Sequence, residues 1–255
     1  MIKMDFIPFL SNLAAGLGLV KVPRVSYVET DTDRALRLIE EHGGPTPFIC
    51  ANRHGTFFQN GIGRQTNSWA GHAGIHVGEK FGRIIREKYP FLLKPRNLPG
   101  IIGPLKNALP PVPAEPKPYE VIESQATVAL TSWPETIHRD IQAVAFLRKW
   151  TDQQIDDILY DAYYYYGAPY DVPEIARHTG FWFLPKFKQI AVCSSRAAVS
   201  ISKGDDKIAP WMKVCAQRKC IHEATPADLG RYLFNNENYT PVAFRCNLEE
   251  ARAKI

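Results

Sequence analysis

The sequence predicts an α+β fold, on three observations. Capped segments with helical periodicity and short segments with β patterning both occur. They are grouped in the order helix, strands, strands, helix, helix instead of alternating as repeated βαβ units would. Between the strand segments lies a proline-rich stretch that holds neither continuous helix nor a central strand.

Taken in order, "MIKMDFIPFLSNLAAGLGLV" has an apolar run after Lys3 that Asp5, Pro8, Ser11 and Asn12 interrupt. It carries no small-x-small cleavage site and is too short and broken to span a bilayer. It reads as a retained helix packing on the domain or a partner, with membrane-surface contact as the alternative and no transmembrane segment. Residues 31–42, "DTDRALRLIEEH", form an amphipathic helix capped by Asp31 or Thr32, with Ala35, Leu36 and Ile39 on one face, and "GGP" stops it. "PFICAN" and "AGIHV" suit strands separated by a polar glycine-bearing loop.

From 82 to 118 nine prolines fall within 37 residues, ending in "ALPPVPAEPKP". This is an insert, either a lid or a surface for a protein partner. Strand pattern returns at "YEVIESQATVAL" and "AVAFLRKW". "TDQQIDDILYDAYYYYG" is then a helix with Thr151 as N-cap, Gln154 completing a capping box and Gly167 as its stop. "CSSRAAVSISKG" starts an alanine-rich helix, and "TPADLGRYL" a compact one with Thr225 as N-cap and Pro226 at its first position. The organisation expected is an N-terminal helical segment at 1–45, a domain at 46–235 and a tail at 236–255.

The 255 residues, 45% hydrophobic and 22% charged, are those of an ordinary globular chain able to bury a core. A net charge of +5, with no run of five Lys/Arg, points to no nucleic-acid partner. The balance suits an anionic surface such as cell wall, although solubility explains it equally well. Five irregularly spaced cysteines exclude a full disulfide framework and leave at least one free thiol, which a reducing compartment accommodates most simply.

If Ser194 and Ser195 open a helix, Cys193 sits at its N-terminus, where the helix dipole favours a thiolate. A lone cysteine beside an alanine-rich helix also reads as a buried small apolar residue. A thiol nucleophile needs a base, and seven histidines are present. In "GHAGIHVG" a strand period of two places His72, Gly74 and His76 on one face, expected to be open, and Ala73, Ile75 and Val77 on a core face. His72 and His76 would be about 13 Å apart along a strand, too far to share one ion, and no CxxC or HExxH pattern supplies further ligands. No metal and no cofactor is therefore expected. A residue orienting the imidazole completes such a site. Glu123 and its opposite-facing rival Glu120 are the acidic candidates in the "YEVIESQATV" strand, and spacing does not choose between them.

"HAGIHVG", "YEVIESQATV", "AVAFLRKWTDQQ…A…YGAPYDVP", "VCSSRAAVS" and "TPADLGRYL" together resemble, in this order over roughly 46–235, the circularly permuted NlpC-type papain-like cysteine hydrolases, the YiiX-like and lecithin:retinol acyltransferase-like branch. The resemblance implies a small antiparallel sheet packed against the nucleophile's helix. It implies Cys193 as nucleophile, His72, in preference to His76, as base, and Glu123 as its orienting residue. Tyr170 and Asp171 match the Pro-Tyr-Asp turn that shapes the site, and His76 and Ser194 are placed at the substrate groove. Ser124 replaces the usual alanine, and Ser195 and Arg196 replace the Glu-Leu that normally follows Cys-Ser. The activity implied is amide or ester cleavage, first of all a peptidoglycan amidase or endopeptidase of bacterial or phage origin. The alternatives are a lipid acyltransferase or thioesterase of the same fold, and a phage-particle assembly protein docking through the insert.

Overall fold

A computed structural model describes residues 21–53, 57–94, 115–117, 119–124, 128–132, 141–168 and 193–255, with single positions at 14, 17 and 19. The architecture is mixed α and β, with a six-stranded antiparallel sheet and eight α-helices among the described residues. The strands are β1 (Thr46–Asn52), β2 (His72–His76), β3 (Glu120–Ser124), β4 (Val128–Ser132), β5 (Ile141–Leu147) and β6 (Thr240–Phe244), in the order β4-β3-β2-β1-β5-β6.

The helices are α1 (Thr32–His42), α2 (Phe57–Thr66), α3 (Gly78–Lys88), α4 (Asp152–Tyr164), α5 (Cys193–Ile201), α6 (Ile208–Val214), α7 (Pro226–Asn235) and α8 (Leu248–Ala253). None among the described residues is long and apolar enough to cross a membrane. Local chemistry sets their ends. The Asp31 side chain accepts from the Arg34 N–H, and Gly43 closes α1 at φ +71°, a left-handed conformation that glycine adopts without strain. Capping boxes at Thr151/Gln154 and Thr225/Asp228 open α4 and α7.

Strand alternation divides the core in two. Phe48, Cys50, Val121, Ala143, Ala145 and Phe244 pack beneath α1 through Ala35, Leu36 and Ile39. Ile49, Ala73, Ile75, Ile122, Val144 and Phe146 face the larger helical layer. α3 adds Phe81 and Ile85 to that layer, α4 adds Leu159 and Tyr163, α5 adds Ala198 and Ile201, and α7 adds Leu229 and Leu233. Two carboxylates buried in this layer are paired. Glu120 accepts from Arg86 Nη2 at 2.7 Å and from the Tyr163 hydroxyl at 3.2 Å. Asp205 pairs with Arg148 and accepts from the hydroxyls of Tyr232 at 2.6 Å and Tyr239 at 2.9 Å.

Several expectations are corrected. The glycine-bearing loop between the first two strands contains α2. The insert expected at 82–118 begins inside α3: no proline occurs from Gly78 to Lys88, and Phe81 and Ile85, one turn apart, anchor that segment to the core. Residues 95–114 of the insert lie outside the described residues. "YEVIESQATVAL" is two strands, β3 and β4, paired from Glu120↔Ser132 to Ser124↔Val128. The expected boundaries at 45 and 235 are not domain limits. α1 covers the sheet, β6 extends it beside β5 and α8 seals its end, so 236–255 is no tail.

Candidate active site

His72 opens β2, and its register partner on β1 is Cys50. On the other side β2 pairs with β3 from Gly74↔Glu123 to His76↔Val121, so Glu123 lies diagonally across from His72 on the same sheet face. The His72 Nε2 to Glu123 Oε2 distance is 3.0 Å, with side chains 14% and 1% exposed. On β4, Thr131 donates its hydroxyl to the other carboxylate oxygen, Glu123 Oε1, at 2.9 Å. Glu123 is thus held from β4 while it holds the imidazole on β2.

Cys193 is the first residue of α5 and is buried. Its sulfur acts on the His72 ring both as a hydrogen-bond partner and as a charge. Burial alone would lower the imidazole pKa. The Cys193 sulfur and then Glu123 more than offset that, and His72 is pushed up to about 10. The attraction is mutual, because an imidazolium stabilises an adjacent thiolate. Cys50, at the same end of the sheet, is the contrasting thiol. Burial pushes it well above the ordinary range, and the charges of Glu123 and Cys193 push it further. The Cys50 thiol is therefore held neutral beside the His72–Cys193 pair.

The other expected site residues lie elsewhere or do other work. His76 is 2% exposed, with its Nε2 3.1 Å from Glu40 Oε1 of α1. It is packed under a helix, not set along a groove. The face expected to be open is closed by that helix. The space above Gly74 is filled by the Phe48 ring, whose Cζ would lie 2.5 Å from an added Cβ. Ser194 is buried, and its hydroxyl donates to the Ala224 carbonyl at 2.7 Å, fixing α5 to the start of α7. Glu120 points to the opposite face, toward Arg86 and Tyr163. Tyr170 and Asp171 lie outside the described residues.

A narrow cavity beside Cys193 is lined by Gly74, Ile122, Glu123, Arg196 and Ser200 among others. It has room for no more than about one water molecule. Sequence reasoning missed Thr131, which only the β3–β4 pairing brings to Glu123. All five cysteines are free, with Cys215 and Cys220 exposed. Among the described residues no group of three or more His, Cys, Asp or Glu side chains is placed to hold a metal ion. No family model, curated protein or solved structure matches this chain.

Proposed function

We propose that this chain is a papain-like cysteine hydrolase of the permuted NlpC type, with Cys193 as nucleophile, His72 as acid and base, and Glu123 as the residue orienting His72. The observation that carries the reading is the contact of these three side chains, with the His72 ring between the Cys193 sulfur and the Glu123 carboxylate. The chain order, with the histidine strand before the glutamate strand and both before the cysteine helix, agrees with the permuted arrangement.

With Nε2 committed to Glu123, Nδ1 is the ring nitrogen left for the sulfur. The thiolate attacks an acyl carbon and forms a C–S bond, while the carbonyl electron pair moves onto oxygen. Backbone N–H groups in the first turn of α5 stabilise that oxyanion. The tetrahedral centre collapses, the bond to the leaving nitrogen or oxygen breaks, and His72 delivers its proton to that atom. Water then attacks the thioester. His72 takes a proton from the water, and breaking the C–S bond regenerates the thiolate and releases the acid.

The substrate class favoured is the peptide stem of peptidoglycan. Incubating purified peptidoglycan with the protein should release new muropeptide fragments, resolved by chromatography and mass spectrometry. Cys193→Ala should abolish release, by roughly 10³-fold or more given the non-additivity of residues acting as a unit. No fragments from the wild-type protein, with acyl transfer or cleavage on acyl-lipid substrates instead, would select the lipid acyl reading. The exposure of Leu17 and Leu19 favours that second reading.

A further inference from the structure

A second concave site lies behind the first. Between α4 and the end of α5 is a cleft with about 370 Å³ of space, lined by Asp157, Tyr160, Asp161, Tyr164, Tyr165 and Lys203. Its wall continues an aromatic ladder along the surface. Ring centroids are 6.3 Å apart for Phe91–Tyr89, 5.9 Å for Tyr89–Tyr160, 6.3 Å for Tyr160–Tyr164 and 5.0 Å for Tyr164–Tyr165. Tyr160 and Tyr164 are inclined by only 29°, and Tyr160 is 42% exposed. The two rings stack on one another, and Tyr160 presents an aromatic surface at the solvent edge of the cleft.

Charge narrows the occupant. Asp157 and Asp161 are balanced by Lys203 and by Arg196, whose guanidinium pairs with Asp161 at 2.6 Å and lies 3.6 Å from the Tyr165 ring centroid. A cation would compete with two resident cations and an anion with two carboxylates, so an uncharged ligand meets the least opposition. The polar groups at the rim suit hydroxyls. The Gln153 amide fixes Asp157 Oδ1 at 2.9 Å while its other oxygen is a further acceptor, and Lys203 is a donor that is 48% exposed. A flat ring with apolar C–H faces and a hydroxyl edge fits an aromatic surface with such a rim.

The cleft also abuts the first site. Asp161, on its wall, accepts from Arg196 and, at 2.8 Å, from the Ser200 hydroxyl; both of these residues line the narrow cavity beside Cys193. An occupant of the cleft therefore sits one layer of side chains from the thiol.

We propose that the tyrosine cleft is a saccharide-binding subsite that takes an uncharged pyranose unit of a glycan-linked substrate. It rests on the peptidoglycan reading only for the choice of sugar, since binding requires no turnover. The test is calorimetric titration of the full Cys193→Ala chain with the β-1,4-linked N-acetylglucosamine tetramer, with amide-shift mapping by NMR. Saturable binding with Kd on the order of 1 mM and shifts concentrated in α4 and the end of α5 are expected. Tyr160→Ala should weaken binding roughly ten-fold with an unchanged circular dichroism spectrum, and Asp157→Asn should weaken it about three-fold. No saturation by roughly 10 mM sugar, an unaffected Tyr160→Ala, or tighter binding of a proline-rich decapeptide than of the sugar would each overturn the proposal. Binding without muropeptide release by the wild type would leave the subsite standing and remove the peptidoglycan-cleavage reading; release without binding would do the reverse.

Discussion

His72 carries the electrostatics of the candidate site, and its titration is the most direct test of the geometry. Its pKa in the folded protein, pushed up to about 10, lies above the ordinary 6.5. Protonation therefore favours the folded state. That contribution is fully present below about pH 6.5 and is lost as pH rises toward 10. An NMR titration of the His72 ring should accordingly show it still protonated at pH 8. Cys193→Ala and Glu123→Gln should each bring the midpoint down, Cys193→Ala by more, because the sulfur contributes the larger favourable share. A wild-type midpoint near 6.5 would refute the ion-pair arrangement. At the same scale, iodoacetamide should modify Cys193 faster than exposed Cys215 or Cys220 near pH 7, the outcome expected if pairing with His72 activates the sulfur enough to outweigh their exposure.

The elements of the site are held by close packing and by one tether. Gly74 lets the Phe48 ring lie against β2, and Gly74→Ala would place its Cβ 2.8 Å from Phe48 Cε1 and 3.0 Å from the Ile122 carbonyl. Phe48 is fully buried and the carbonyl belongs to the sheet, so neither yields cheaply. The substitution should cost about 1–3 kcal/mol in urea denaturation. Ser194→Ala removes the bond to Ala224 that fixes the first turn of α5. It should cost about 1 kcal/mol and slow iodoacetamide modification of Cys193. An unchanged modification rate would show that α5 is positioned by packing alone.

Elements were legible in the sequence where a cap or a clean period marked them. Asp31, Thr151, Thr225 and Pro226 begin their helices where their side-chain chemistry requires, and the apolar runs of β1 and β5 match two-sided burial. α2 was hidden because "FFQNGIGRQT" has two glycines and few apolar residues to give a period. The identities of His72, Glu123 and Cys193 were readable as candidates. The burial of His76 under α1 and the hold of Thr131 on Glu123 were not, because each depends on which strand or helix lies alongside.

Across the whole molecule, the segment before α1 and the segment after β6 close over one end of the sheet together. Tyr27 bridges Cys246, Ser26 N–H donates to Glu250 Oε2 at 2.7 Å, and Lys254 Nζ donates to the Arg24 carbonyl at 2.7 Å. Trp69, 2% exposed, donates its indole N–H to the Ala251 carbonyl at 2.9 Å. Lys254 and the Ser26 N–H hold the Glu250 carboxyl down at about 2. Deleting 247–255 should uncover Trp69 and cost about 3 kcal/mol or more, seen as a lower urea midpoint and a red-shifted tryptophan emission.

The sheet order has a consequence for synthesis. β1, which follows α1, waits beside an empty position until Asn52 can meet Ile141 on β5, and β5 in turn waits for Phe244 on β6. Such distant pairings form late and slowly. His72 and Cys193 are thus both made before β6 completes the far edge of the sheet. During synthesis the Cys193 thiol therefore emerges after the strands that carry His72 and Glu123 but before the edge strand β6 is in place.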